Sequence, residues 1–238
     1  MSSYITRRRF ITGSVIAGSM GLAGCTTDED RVLNFTANAH KLDSEQIEES
    51  PYSLMGMEEV DISRYIDEAS DFDVDATVSS YAVQYQHEEL PQPLFVFSTP
   101  SVETIGRQIN PLISNDLGEI LDLLSAVLES ADLETDFTVK EYQRLTEEEF
   151  HTNLGTTILE VYEVVVDSEE YGDITMQMPI FTQEHEDTIV LATGAIIYEV
   201  EELGASVSEF IDSDQELETA KELLSTVKQF NWMEMNNS

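Results

Sequence analysis

Basic residues are scarce in this chain. Its 238 residues include 11 Lys and Arg, only four of them Lys, against 48 Asp and Glu, for a formal net charge of −37. A surface so negative repels phosphate backbones, which argues against nucleic acid as a partner. Cysteine is scarcer still. Cys25 stands alone, so no disulfide can form within the chain. At 41% hydrophobic residues the chain can nevertheless build a core, and wholesale disorder is not expected.

The few basic residues are unevenly placed. Met1–Gly24 holds Arg7, Arg8 and Arg9 and no acid, leaving eight basic residues against all 48 acids from Cys25 onward. The arginines precede Ile11–Ala23, an apolar run rich in Gly, Ala and Ser. As a helix this run spans roughly 20 Å, short of the ~30 Å hydrocarbon core, so it reads as a signal-peptide core and not as a transmembrane helix. Thr6-Arg7-Arg8-Arg9-Phe10-Ile11 matches the twin-arginine export pattern, with Arg7, Arg8 and Phe10 as its distinctive residues. Leu22-Ala23-Gly24-Cys25 matches a lipobox, in which small residues admit the backbone to a peptidase and the thiol of Cys25 accepts the lipid. The expected organisation is a signal peptide at 1–24, a lipidated Cys25 with a polar tether at 25–34, and one extracellular domain at 35–238. A lipid carrying two chains on Cys25 suffices for stable anchoring.

The acidity that remains is the usual signature of an extreme halophile. In molar salt the Debye length is roughly 3 Å, so repulsion between surface carboxylates is mostly screened. Carboxylates also hold water and cations, which keeps such a surface soluble.

The domain reads as a sheet with helices. Ser44–Glu49 suits a short helix capped by Asp43 or Ser44. Glu59–Asp67 and Phe72–Tyr85 alternate as strands, joined at Glu68-Ala69-Ser70. Leu94–Phe97 suits a central strand. Ser98-Thr99-Pro100 then reads as a strand-to-helix turn, with Thr99 as cap, Pro100 in the first helical position, and Val102, Ile105 and Ile109 along one face. A second helix is expected from about Asp116, with Leu117, Ile120, Leu121, Leu124, Val127 and Leu128 as its apolar stripe. Strands follow at Thr138–Leu145, Thr157–Val166, Ile174–Phe181 and Thr188–Val200. A last helix, capped by Asp214, carries Leu217, Ala220 and Leu224. The expected fold class is α+β: an antiparallel sheet of six to seven strands packed with helices.

Phe97-Ser98-Thr99-Pro100, followed by Val102, Gly106 and Asn110-Pro111, resembles a stretch of haloarchaeal twin-arginine-exported lipoproteins of unknown function. That resemblance implies an exported, anchored protein and carries no activity. More loosely, the order of elements is similar to the PsbP and Mog1 type of α/β/α sandwich, which implies a fold and not a function.

Chemistry is thinly signposted. A lipidated Cys25 leaves no thiol nucleophile or thiolate ligand. His40, His87, His151 and His185 lack metal-ligand spacing, and His87 and His185 fall in expected solvated turns. Asp71, Asp73 and Asp75 form a DxDxD run that could share a cation weakly. Ala76 and Ala82 stand where a calcium loop of the EF-hand type needs Gly and Glu. The turn at Ser98 and Thr99 is a second candidate, since a helix N-terminus can receive an anion. Tyr81, Tyr85, Phe95 and Phe97 could line a pocket but suit a core better. No catalytic residue and no cofactor is expected. The expected partners are the membrane, through the lipid, and an unidentified envelope protein or small ligand. Two functions compete: a non-enzymatic, lipid-anchored binding protein, and an envelope enzyme using carboxylates or a divalent cation. A concave apolar pocket would favour the first. Buried carboxylates or a strongly perturbed His in one cleft would favour the second.

Overall fold

The computed structural model describes residues 33–61, 76–101, 103–104, 107–108, 117–118, 120–121, 137–168, 172–200 and 212–232. These belong to one compact unit. In chain order the elements are β1 (Leu33–Thr36), β2 (His40–Lys41), α1 (Ser44–Glu48), β3 (Tyr52–Asp61), β4 (Ala76–His87) and β5 (Pro93–Pro100). There follow β6 (Glu103–Thr104), β7 (Arg107–Gln108), β8 (Phe137–Thr152), β9 (Gly155–Ser168) and β10 (Gly172–His185). Last come β11 (Thr188–Gly194), β12 (Ile196–Val200), α2 (Ser213–Ser225) and β13 (Lys228–Gln229).

Nine of the strands form one sheet in the order β1-β4-β5-β11-β10-β9-β8, with β3 added on β4 and β12 on β10. All pairs are antiparallel except β1 with β4, so the sheet is mixed. This corrects the expected fold class. The fold is mostly β, and it is not a six-to-seven-stranded antiparallel sheet in an α/β/α sandwich of the PsbP and Mog1 type. The excess of strand comes from two sources. Strands β8, β9 and β10 reach 16, 14 and 14 residues, well beyond their apolar cores. Segment 98–108, read as a turn and helix, contains the end of β5 and the small β6–β7 pair.

Central strand β11 (TIVLATG) is buried along its whole length. Its β-branched residues face both ways, as an inner strand covered on both faces requires. On one face Ile189 and Leu191 pack with Val78, Phe97, Tyr162, Val164, Met176, Met178 and Ile180, joined by Leu117 and Ile120. On the other, Val190 and Ala192 pack with Val83, Tyr85, Leu94, Val96 and Phe181 beneath Ile47 of α1 and Ala220, Leu223 and Leu224 of α2. Burying one such Leu or Phe contributes about 1.5–3 kcal/mol. At Gly194, which pairs with Leu94 of β5, a Cβ would stand 2.4 Å from Leu94 Cδ2, so a larger residue there would require the buried Leu94 side chain to shift. The chain breaks at Ala195 and resumes as β12 along the same side of β10. Pro179 lies between the stretch of β10 paired with β12 (174–177) and that paired with β11 (180–185), a gap that suits a residue without an N–H.

Local chemistry sets the helices. Asp43 caps α1 by accepting the Glu45 N–H at 3.0 Å. The cap of α2 is Asp212, which accepts the Gln215 N–H at 3.2 Å, and not the expected Asp214, which lies in the first turn. The α2 C-terminus is received by the β8–β9 hairpin tip: Asn153 N–H donates to the Ser225 carbonyl at 2.9 Å, and Asn153 Nδ2 to the Thr226 carbonyl at 3.0 Å. Lys221 joins α2 to β8 by pairing with Glu148 at 3.0 Å. Beyond the helix, β13 pairs with β2, and Lys228 pairs with Asp43 at 2.6 Å. That charge-assisted bond, with the Glu45 N–H, holds the Asp43 carboxyl below its ordinary range.

Among the described residues no helix is long and apolar enough to cross a membrane. The expected strand at Glu59–Asp67 overlaps the end of β3, which starts at Tyr52 and is described to Asp61; residues 62–75 lie outside the described residues. Glu68-Ala69-Ser70 therefore lies outside the described residues.

Candidate functional site

The outer strands build a cleft on the face of the sheet that carries Tyr162 and Ile180. Alternation on β9 puts Ile158, Glu160 and Tyr162 on this face, and β10 contributes Ile180 and Thr182. Strand β8 completes the floor through an irregularity. Its register with β9 shifts between Arg144 and Thr146, leaving Leu145 as an extra residue. In a regular strand, residues three apart point to opposite faces. The bulge puts Arg144, opposite Tyr162, and Glu147, opposite Glu160, on the same face. Leu117 and Ile120 form an apolar wall, and the cleft encloses about 500 Å³.

A chain of polar contacts runs through it. Arg144 Nη1 donates to Glu160 Oε1 at 2.5 Å and pairs with Glu147 Oε2 at 3.0 Å, while the Tyr162 hydroxyl donates to Glu160 Oε2 at 3.0 Å. Partial burial, reinforced by the adjacent Glu160 carboxylate, pushes the Tyr162 phenol up to about 12, so it remains a donor. Tyr142 packs edge-on against Tyr162, with ring centroids 6.4 Å apart. One guanidinium and two carboxylates leave this site net negative. With apolar Leu117, Ile120 and Ile180 beside it, the arrangement can hold an amphipathic molecule whose polar end is neutral or cationic.

The residues singled out in the sequence do not gather here. Cys25, Arg7, Arg8 and Phe10 lie outside the described residues, as do Asp71, Asp73 and Asp75. Ser98 and Thr99 are fully buried in β5, paired with Val190 and Ile189 of β11. No helix begins there. Pro100 sits at the end of the strand, where the sheet tolerates it. Glu103–Gln108 and Thr104–Arg107 then pair as a small hairpin with residues 105–106 between them. Ser98 and Thr99 therefore form no helix N-terminal anion site.

The histidines depart from expectation as well. His87 is buried, not solvated. His185, at the end of β10, meets His40: their Nδ1 and Nε2 atoms lie 3.3 Å apart. Fully buried, His40 also places Nδ1 2.9 Å from the Asn38 carbonyl and 3.2 Å from Ser98 Oγ. A carbonyl only accepts, so Nδ1 of His40 carries the hydrogen and Nε2 receives one from His185. His40 thus has no free lone pair with which to activate Ser98. Burial lowers its pKa from 6.5 to about 4, against the opposing bond to Asn38 and with help from His185. His151 is exposed and bonded to Thr156 at 3.0 Å. Among the described residues no group of three or more His, Cys, Asp or Glu is placed to hold a metal ion.

Sequence reasoning passed over Arg144, Glu160 and Tyr162. A faint signal existed, an Arg within an acidic strand facing an alternating Glu-x-Tyr, but it depends on register. The family model for a domain of unknown function, DUF6517, matches residues 40–228. The chain belongs to the DUF6517 family. The matched span runs from β2 to the start of β13 and takes in the cleft and the His40–His185 pair, so both lie within the DUF6517 domain. No curated protein and no solved structure matches the chain.

Proposed function

We propose that this protein is a non-enzymatic binding protein of the envelope of a halophile, exported by the twin-arginine route and anchored through Cys25. Its cleft takes a small amphipathic ligand with a neutral or cationic polar end. The observation that carries this reading is the cleft itself. A concave apolar wall of Leu117, Ile120 and Ile180 stands beside Arg144, Glu147 and Glu160, whose summed charge is negative. An anion entering would meet an Arg already occupied by two carboxylates, and would be repelled. The strongly perturbed imidazole, His40, packs against Ser98 on the opposite face of the sheet, away from the cleft. That separation supports binding over acid–base chemistry. Titration calorimetry with a matched pair, hexyltrimethylammonium and hexyl sulfate, tests the charge preference. The cation should bind more tightly, and Glu160→Gln should weaken it several-fold. Equal affinities for the two probes would overturn the proposal.

A further inference from the structure

On the face away from the cleft, the loop end of the β3–β4–β5 sheet carries a row of polar side chains. Tyr52 of β3 pairs with His87 of β4, their rings edge-to-face at 5.1 Å. The His87 N–H donates to the Gln92 carbonyl at 3.2 Å, one step beyond the Gln86–Pro93 pair. Register therefore sets Tyr52, His87 and Gln92 side by side, on the face that Val83, Tyr85, Leu94 and Val96 continue into the core. Helix α2, which packs mainly on β8, β10, β11 and β12, reaches this row through Glu216. Its residues Ala220, Leu223 and Leu224 are buried on that face, and Glu216 lies one turn N-terminal of Ala220 on the same side.

Four atoms of this group are buried without a hydrogen-bond partner: Tyr52 Oη, Gln92 Nε2, Gln92 Oε1 and Glu216 Oε2. Gln92 is 0% exposed and Tyr52 2%. Only three other such side-chain atoms occur among the described residues, on Ser80, Gln177 and Thr193. A fifth group faces the same place. His87 Nδ1 accepts the N–H groups of Glu89 and Leu90, both at 3.1 Å, so the ring hydrogen sits on Nε2. Nε2 points at Glu216 Oε2 from 3.7 Å, too far for a direct hydrogen bond and suited to a bridge.

We propose that this row is a binding site for internal water, which links Glu216 of α2 to the β3–β4–β5 sheet. Buried polar groups in folded proteins are almost always bonded, and internal waters make about three bonds each to groups otherwise left unpaired. Five groups exceed the four bonds one water can make, so a single water cannot satisfy them all. Water matches the mixture present: it accepts from His87 Nε2–H and Gln92 Nε2–H, and donates to Glu216 Oε2 and Gln92 Oε1. A metal cation does not match, because it would face the hydrogen on His87 Nε2. The Glu216 side chain, 19% exposed, gives the water a route to exchange with solvent.

A high-resolution crystal structure of the protein soaked in thallium chloride tests this. The expected result is ordered oxygen density within hydrogen-bond distance of Tyr52 Oη, the Gln92 amide and Glu216 Oε2, with no anomalous thallium signal. A thallium peak there would replace water with a cation, and a site without density would end the proposal. Tyr52→Phe gives an independent readout without a change of shape. Removing a hydroxyl that holds water lowers the melting temperature. An unchanged or raised melting temperature would mean that the hydroxyl was unbonded, and would likewise overturn the proposal.

Discussion

Acid should destabilise this protein through His40 in a window set by its environment. The ring is fully buried, and its pKa falls from 6.5 to about 4, chiefly because burial penalises the charged form. The neutral form is therefore the one the fold stabilises. Between about pH 6.5 and pH 4 the unfolded chain binds a proton at this site that the native state refuses, so stability falls as pH falls through that window. The contribution is complete near pH 7, and nothing further is lost once pH is below about 4. At about 1.36 kcal/mol per pH unit the change amounts to roughly 3 kcal/mol. Other groups titrate in the same range, so the assay is a difference. Urea unfolding of the wild type and of His40→Gln is followed at fixed molar salt from about pH 7 to about pH 4. Glutamine cannot ionise but can still donate to the Asn38 carbonyl. The stability advantage of the wild type should shrink by roughly 3 kcal/mol across the window. A difference that stays flat would refute the account of His40 as a ring held neutral by burial.

Three further outcomes follow from packing, charge and the lipobox. Gly194→Ala should destabilise by about 1–3 kcal/mol, because its Cβ would meet Cδ2 of the fully buried Leu94 and force that side chain to move, as thermal unfolding can check. Dilution from molar to ~0.1 M salt lengthens the Debye length from ~3 to ~10 Å, so the net charge of −37 should lower the melting temperature in circular dichroism. An unchanged melting temperature would count against a halophilic fold. Cys25→Ser should move the protein from the membrane to the soluble fraction or leave an unprocessed precursor. Identical detergent partitioning and mass in mutant and wild type would rule out the anchor.

What the sequence revealed depended on how locally each feature is determined. Strand β9 was legible because Thr157–Val166 is rich in β-formers, with Thr157, Ile158, Val161, Tyr162, Val164, Val165 and Val166. Helix α2 was legible from Leu217, Ala220 and Leu224, although its cap, Asp212, lies two residues before the one expected. Segment 98–108 misled because Thr99-Pro100 is as good a helix start as it is a strand end. Pairing with Thr188 and Ile189, remote in sequence, decides between them. Apolar spacing at Val102 and Ile105 fitted a helix, while the paired Glu103–Gln108 and Thr104–Arg107 make a hairpin. The cleft was illegible for a related reason. Arg144 and Glu147 share a face only because β8 bulges at Leu145. With 48 acids in the chain, nothing local marks Glu160 as the partner of Arg144 and Tyr162. His40 and His185, 145 residues apart, meet only through the fold.

The central claim is that the cleft between Arg144, Glu160 and the Leu117–Ile120 wall is where this protein binds. Backbone amide NMR during titration with hexyltrimethylammonium in molar salt maps the answer directly. The account predicts saturable shift changes centred on Arg144, Ile158, Glu160, Tyr162 and Ile180, reduced several-fold in Glu160→Gln. Shifts spread evenly along the acidic surface, or centred on the opposite face around His40 and Glu216, would contradict it.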